Sequence, residues 1–230
     1  MSMHASSRQQ VLARIRAATH PAAAAAAAYA RLPRPYIRRG QRAAGSCVGL
    51  LIERLRDYDA EVVEAAPEEL PATIAARLAA SGRRVFVAPP GVPAEWLASG
   101  YEWRVDRGLS TEEIEKAEGV VTAASCAIAD SGTLVLHHSA AEGRRVLTLL
   151  PDWHLCILRA SQVVETLPEY FDRCAQPPAP HPSDQSPSLG TPVLATYISG
   201  PSATADIEMT RIKGVHGPRY LQVILVRDTN

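Results

Sequence analysis

The sequence predicts an α/β protein with a mostly parallel central sheet and helices on both faces. Apolar runs rich in strand formers, such as VFVA and YLQVILV, alternate along the chain with segments of helical periodicity. This alternation is typical of a sheet that helices cover on both faces, with antiparallel pairs only where the connections are tight. With 230 residues, the chain is long enough to bury the core that such a sheet requires.

The N-terminal region is predicted to form a helical arm over residues 1–45. Apolar residues recur at helical spacing among Arg and Gln over 7–19, which indicates an amphipathic helix. The alanine tract at 22–28 favours helix by propensity, although it has little side chain to bury. Pro33 and Pro35 then break the segment RLPRPYIRRG.

The remaining residues, 46–230, are predicted to form one α/β domain. Its first half contains a helix over 47–55, a strand in AEVVEA, a helix over 67–80 that ends before a glycine, and a strand in RRVFVAPPG. Ser110 and Glu113 have the spacing of a capping box, which predicts the start of a short acidic helix in STEEIEKAEG.

The second half of this domain contains a predicted hairpin and further strands. GVVTAASCAIADSGTLVLHH predicts a strand, a tight turn and a second strand. A buried strand around 155–158 is followed by a predicted helix over 161–173. The segment 175–190 is rich in Pro and Ser and predicts a flexible loop, and VLATYIS and YLQVILV predict the last strands.

Charge and cysteine usage exclude several classes of function. Lys plus Arg balance Asp plus Glu at 24 each, so no net charge attracts nucleic acid or an anionic membrane. The four cysteines form no Cys-x-x-Cys or Cys/His pattern of metal-site spacing. We therefore expect the chain to bind no metal and no other cofactor. The N-terminus has scattered Arg and Gln where a signal peptide needs an uninterrupted apolar region, and no stretch reaches the roughly 18 apolar residues of a membrane span, so we expect a cytoplasmic protein without a span.

Three common catalytic signatures are missing from the sequence. It contains no Gly-x-Ser-x-Gly, Gly-x-Gly-x-x-Gly or Walker pattern. Their absence argues against a hydrolase of that fold, a Rossmann dehydrogenase and a P-loop NTPase.

Small and hydroxyl residues follow the predicted strand VLATYIS. Gly200, Pro201, Ser202 and Thr204 precede a predicted helical turn, whose free N–H groups and partial positive charge suit a carboxylate or phosphate. The alternative is that Ser202 or Thr204 only caps that helix. Both interpretations use the same geometry.

Two acids and a histidine follow this turn. Asp206 or Glu208 is a candidate general base or cation ligand, and the alternative is that both favour the dipole of a helix in its first turn. His216 lies between Gly214 and Gly217, which let the backbone approach a ligand. A lone histidine in a turn is more often a structural donor.

A second hydroxyl-rich turn lies at the end of another predicted strand. It comprises Asp130, Ser131, Gly132 and Thr133. As a hairpin turn, it has Asp130 bonded to its own backbone and Gly132 at positive φ. As part of a site, it forms a wall opposite the first turn.

His137, His138 and His154 have no acidic partner at metal-site spacing.

Four motifs in a fixed order carry a resemblance to a known family. CAIADSGTLVL, LLPDWHLCIL, SGPSATADIE and GVHGP resemble the lactate-utilisation protein C family, the single-domain members of the LUD domain group. The match runs over residues 119–226. Four motifs in order are far more specific than any one alone.

The resemblance implies a fold similar to that of the ribose-phosphate isomerase, glucosamine-phosphate deaminase and CoA-transferase group. It also implies a role beside two partner proteins, including iron-sulfur subunits, in oxidising L-lactate to pyruvate. Larger relatives carry a ferredoxin-like run of cysteines, which this sequence lacks. We therefore expect a non-redox subunit that holds no cluster.

The resemblance also places a pocket among strand-end loops, for a small carboxylate or phosphate. The resemblance places Asp206, Glu208 and His216 in this pocket, and their own chemistry makes them the candidate catalytic residues. The implied ligand-binding residues are Asp130, Ser131, Gly132 and Thr133 on one wall, and Gly200, Pro201, Ser202, Thr204 and Gly217 on the other.

Two other functions stay open at this point. The chain is alternatively a free-standing enzyme that acts on a phosphate- or carboxylate-bearing metabolite, as the wider fold group suggests. It is otherwise a structural or regulatory module. The motif match favours the subunit of a lactate-oxidising complex.

Overall fold

The structure is a computed structural model that describes residues 7–19, 22–175, 194–204, 212–214 and 216–228. It divides into two compact units, Met1–Tyr36 and Ile37–Asn230. The first unit contains α1 (Ser7–Ala18) and α2 (Ala22–Ala30), as periodicity and alanine content predict. α1 buries none of its residues, so its apolar stripe is exposed.

The second unit contains four helices and twelve strands among the described residues. The helices are α3 (Ala44–Asp57), α4 (Leu70–Ser81), α5 (Thr111–Glu115) and α6 (Leu167–Ala175). The strands are β1 (Glu61–Ala65), β2 (Val85–Ala88), β3 (Glu102–Val105), β4 (Gly119–Ala123), β5 (Cys126–Ile128), β6 (Thr133–Leu136), β7 (Trp153–Arg159), β8 (Val163–Val164), β9 (Thr196–Ile198), β10 (Ala203–Thr204), β11 (Ile212–Lys213) and β12 (Tyr220–Val226).

A six-stranded parallel sheet forms the centre of this unit. Its strand order is β1-β12-β7-β4-β2-β3, and every neighbouring pair is parallel. In its register, Ile224 of β12 lies opposite Val63 of β1 and Ile157 of β7. The predicted central sheet is confirmed.

Alternate residues of β12 show that helices cover both faces of this sheet. Val223 and Leu225 pack in one core with residues of α3. Ile224 and Val226 pack in another core with residues of α4. Strands buried on both faces carry continuous apolar sequence, which is why YLQVILV is recognisable as a strand.

The run 119–128, predicted as one strand, is divided between two sheets. The N–H of Ala124 bonds to the carbonyl of Ile157 in β7, whereas the N–H of Ser125 bonds to that of Val135 in β6. The chain therefore leaves the parallel sheet after β4 and enters a four-stranded sheet of order β8-β5-β6-β9. The predicted hairpin is present there as the antiparallel pair β5–β6.

The predicted helix over 161–173 is wrong in its first half. Ala160–Gln162 form a 3-10 turn, and Val163 and Val164 pair with β5 as β8. The helix α6 begins only at Leu167. Thr166 and Glu169 cap it reciprocally, because each side chain accepts a hydrogen bond from the other residue's N–H.

Local signals predict other helix ends correctly. Ser110 Oγ accepts the N–H of Glu113 at 3.2 Å, and the Glu113 carboxylate accepts the N–H of Ser110 at 2.7 Å. Gly82 ends α4 in the left-handed region at φ 69°. Within the described ranges, no helix is both long and apolar enough to cross a membrane. The loop predicted over 175–190 lies, from residue 176 on, outside the described residues.

Candidate functional site

A cleft of about 250 Å³ lies at the amino ends of β7 and β12. His154 and Leu221, the second residues of these strands, line it. Residues 197–203 and 216–218 form much of its wall, together with Arg145 and Thr148. We call it the Gly200 cleft.

The chain after Gly200 is not helical where the structure describes it. Ala203 and Thr204 form β10, which pairs with β11. Ser202 is therefore followed by a strand and does not cap a helix. The residues directly after Thr204, on which its predicted capping role depends, lie outside the described residues. Asp206 and Glu208 lie outside the described residues.

Ser202 joins the two loops that flank the cleft. Its N–H donates to the carbonyl of Pro218 at 2.8 Å, and its carbonyl accepts the N–H of Gly214 at 2.9 Å. Its Oγ accepts the N–H of His216 at 3.0 Å. Because all three bonds hold backbone together, Ser202 fixes the cleft wall.

The predicted residues of the two loops thus come together. Gly200, Pro201, Ser202, His216 and Gly217 all line the Gly200 cleft. His216 is exposed. The backbone of Thr204 continues the same wall into β10.

The Asp130 turn does not line this cleft. Asp130, Ser131 and Thr133 border a separate, largely apolar groove with Leu167 and Phe171. The Asp130 carboxylate lies 3.5 Å from the guanidinium of Arg42, and both side chains are about half exposed. The two turns adjoin each other and do not form opposite walls.

Gly132 and Gly200 are required by packing against the end of α3. A Cβ at Gly132 would lie 2.6 Å from Cβ of Arg54, and one at Gly200 would lie 2.7 Å from Cβ of Tyr58. Both glycines also have positive φ, 61° and 105°. Their small size therefore serves close helix packing, whatever binds beside them.

Arg145 is a cleft residue that the sequence did not single out. Its side chain is partly buried, and Nη1 donates to Oγ1 of Thr148 at 2.8 Å and to its carbonyl at 3.2 Å. Burial lowers the pKa of this guanidinium, which nevertheless stays charged at neutral pH. In the described part of the chain it has no carboxylate partner within 4.0 Å.

His154 contributes a neutral, buried side chain to the cleft. Its Nε2 lies 2.8 Å from Oγ1 of Thr122. Burial, and then the nearby charge of Arg145, lower the pKa of His154 to about 3. His154 is therefore neutral at neutral pH, whereas Arg145 beside it carries a positive charge.

His137 and His138 have structural partners, and the four cysteines are buried. His137 bonds to the Tyr170 hydroxyl at 2.8 Å, and His138 bonds to the carbonyl of Gly143 and to Thr196. The four cysteines are free and buried on four different elements, α3, β5, β7 and α6. Among the residues that the structure describes, no three His, Cys, Asp or Glu side chains cluster as metal ligands.

Comparisons with known proteins agree on one family. The model of the LUD domain matches residues 48–226. A lactate utilization protein C from Deinococcus radiodurans is 42% identical over 175 residues, 76% of each chain. One from Bacillus subtilis is 36% identical over 140 residues, 58% of this chain and 54% of that protein. The crystal structure of a DUF162 family protein from Deinococcus radiodurans matches 81% of this chain and 99% of its own, with a TM-score of 0.62 and 31% identity.

Proposed function

The chain belongs to the LUD domain family, and we propose that it serves lactate utilisation as a subunit that binds a small carboxylate in the Gly200 cleft. The names of its relatives, lactate utilization protein C, support a role in lactate utilisation. The geometry of the cleft supports the ligand class.

One observation carries the choice of ligand. Arg145 is a partly buried cation that lines the cleft without a carboxylate partner among the described residues. A desolvated cation of this kind is costly unless an anion reaches it. A guanidinium matches a carboxylate with two parallel hydrogen bonds, which are stronger than bonds between neutral groups.

The other cleft residues position the ligand. Thr148 holds the guanidinium of Arg145 from one side. His154 supplies a neutral ring that is fixed by Thr122, so it adds a hydrogen-bonding wall without a second charge. The hydrogen bonds of Ser202 tie the two loops to each other. Arg145 is the one Lys or Arg among the described residues that line the cleft, and a single cation suits a monoanion such as L-lactate or pyruvate.

The proposal includes iron-sulfur subunits as partners that carry the redox step. It rests on the family resemblance of the four motifs. The cysteines of this chain are dispersed and buried, so the clusters in this proposal belong to the partners. The same hypothesis includes a catalytic role for Asp206, Glu208 and His216.

Deletion of the gene in its host tests the pathway. We expect slow growth on L-lactate as sole carbon source and normal growth on glucose, with rescue by a plasmid copy of the wild type. Normal growth of the deletion strain on L-lactate would refute the role in lactate utilisation.

The ligand site is tested separately on the purified chain. Titration calorimetry with L-lactate and pyruvate should show binding that Arg145→Met weakens about tenfold or more, since the variant loses a charge-assisted pair. Arg144→Met is the matched control, because this neighbouring arginine pairs with Asp106 at 2.7 Å. If the Arg145→Met variant and the wild type bind L-lactate with equal affinity, the proposal that the carboxylate binds in the Gly200 cleft is wrong.

A further inference from the structure

A second cavity, also of about 250 Å³, lies at the carboxyl ends of the parallel strands, on the side of the sheet opposite to the Gly200 cleft along the strand direction. Ala123, Arg159 and Val226, the last residues of β4, β7 and β12, line it. Gly91 and Pro93, which follow β2, complete that side. We call it the switch-point cavity.

The strand order gives this location its significance. From β2 the chain proceeds to β3 on one side, whereas from β4 it proceeds to β7 on the other. β2 and β4 are neighbours, so connections leave this pair in opposite directions. In open α/β sheets, ligands bind in the crevice at the carboxyl ends of such a pair.

The cavity is lined mainly by apolar side chains. Trp96 is 8% exposed, Ile157 is 3% exposed and Leu70 is 7% exposed, and all three line it. Pockets for small molecules are typically lined in this way, with a few polar groups that fix orientation. The body of a fitting ligand is therefore small and apolar.

Glu142 supplies the buried polar wall. It is 1% exposed, its Oε2 accepts the N–H groups of His137 and Ser139 at 2.7 and 3.1 Å, and its Oε1 accepts the Ser125 hydroxyl. A carboxylate oxygen has two acceptor sites, and Oε1 uses one of them within the described chain. Glu142 is thus held in place as an acceptor for a donor group of a ligand.

Arg159 supplies the second polar group. Its side chain is exposed, and the described residues place no carboxylate within 4.0 Å of its guanidinium. Its backbone N–H is bonded to Oε1 of Gln162, which fixes the end of β7. An exposed cation beside an apolar cavity suits the anionic end of a ligand.

We propose that the switch-point cavity binds a small organic anion with an apolar body, its anionic group at Arg159 and a hydrogen-bond donor at Glu142. The site is separate from the Gly200 cleft, which lies at the amino ends of the same strands. It does not depend on the proposed role of that cleft.

Ligand-observed NMR with 4-hydroxybenzoate as the probe tests this site. We expect saturable binding to the wild type. Benzoate, which lacks the donor, and 4-hydroxybenzyl alcohol, which lacks the anion, should each bind about fivefold more weakly. Arg159→Met should make 4-hydroxybenzoate bind no better than the alcohol, and Ala141→Leu should abolish binding of all three by filling the cavity.

Arg54→Met is the control variant, since Arg54 lies on α3, pairs with Asp57 at 3.4 Å and lines neither cavity. It should leave the affinity for 4-hydroxybenzoate unchanged. The proposal is wrong if 4-hydroxybenzoate shows no saturable binding, or if it binds the Arg159→Met variant as tightly as the wild type. Arg159 is exposed, so this variant is expected to fold even if Ala141→Leu does not.

Discussion

The hydroxyl of Thr133 lies 2.7 Å from the hydroxyl of Ser199, and this contact joins the two turns that the sequence singled out. Thr133 is also 2.7 Å from the Ser131 hydroxyl, so the Asp130 turn is tied to the strand end that leads into the Gly200 cleft. The turns therefore adjoin each other through hydroxyl groups.

Ser199→Ala removes this contact while Thr133 keeps its partner in Ser131. We expect a loss of about 0.5–1.5 kcal/mol in the free energy of unfolding, because one hydrogen bond is lost. Affinity for L-lactate should also fall, since Ser199 lines the cleft. Urea unfolding and calorimetry measure the two effects.

Ser110→Ala is the control for that comparison. It removes the cap of α5 at a cost of about 0.5–2 kcal/mol, but it should leave affinity for L-lactate unchanged. If Ser199→Ala changes neither stability nor affinity, the Thr133–Ser199 contact does not connect the turns energetically.

Asp130→Ala should lower the free energy of unfolding by less than about 1 kcal/mol, because its pair with Arg42 is half exposed. Leu134→Ala and Ile224→Ala should each cost about 2–5 kcal/mol, since both side chains are fully buried. Thermal and urea unfolding of the three variants give the comparison. A large loss for Asp130→Ala would show that this residue is a structural turn former, and its proposed role in binding would be withdrawn.

The buried His154 should make the fold sensitive to mild acid. Its pKa is lowered from 6.5 to about 3 in the folded chain, so between these values the unfolded chain binds the proton preferentially. Its contribution to stability is complete above pH 6.5 and decreases as pH falls, by up to about 1.4 kcal/mol per pH unit. His137, whose pKa burial also lowers, acts in the same direction.

His154→Gln checks this pH dependence. The variant should be less stable than the wild type at pH 8 but should lose stability less steeply between pH 8 and pH 5. Urea unfolding across this range gives both slopes. Identical slopes would show that His154 does not carry the acid sensitivity.

The cysteines should be unreactive in the folded protein. All four are buried, and burial raises the pKa of Cys126 and of Cys156 to about 12, so the thiolate form is scarce. A thiol reagent such as DTNB should modify none of them rapidly in buffer and all four in concentrated urea. Rapid modification in buffer would show that one of these elements opens readily.

The fold was predictable where sequence and burial agree locally. β7 and β12 are buried on both faces, so their apolar runs identify them, and the capping box at Ser110 marks a helix start without any distant contact. The division of 119–128 was not predictable, because the exchange of partners at Ala124 and Ser125 depends on strands that follow later in the chain. β8 depends in the same way on its pairing with β5.

The candidate site was predictable only in part. Small residues marked the Gly200 and His216 loops, which line one cleft. Arg145 could not be told apart from Arg144 in the sequence, because the partner that neutralises Arg144 is Asp106, 38 residues earlier. The packing of Gly132 and Gly200 against the end of α3 could not be predicted either, because the residues that they contact are far away in the sequence.

The place of β12 between β1 and β7 governs how a nascent chain acquires this fold. Among the strands of the parallel sheet, β1 is synthesised first, and its neighbour β12 is synthesised last. Glu61 and Gln222, which pair across these strands, are 161 residues apart. While the ribosome translates the intervening residues, β1 presents an unpaired edge that is prone to aggregation. Closure of the sheet is therefore a slow, late step, and a truncation that removes β12 leaves both β1 and β7 without the strand that joins them.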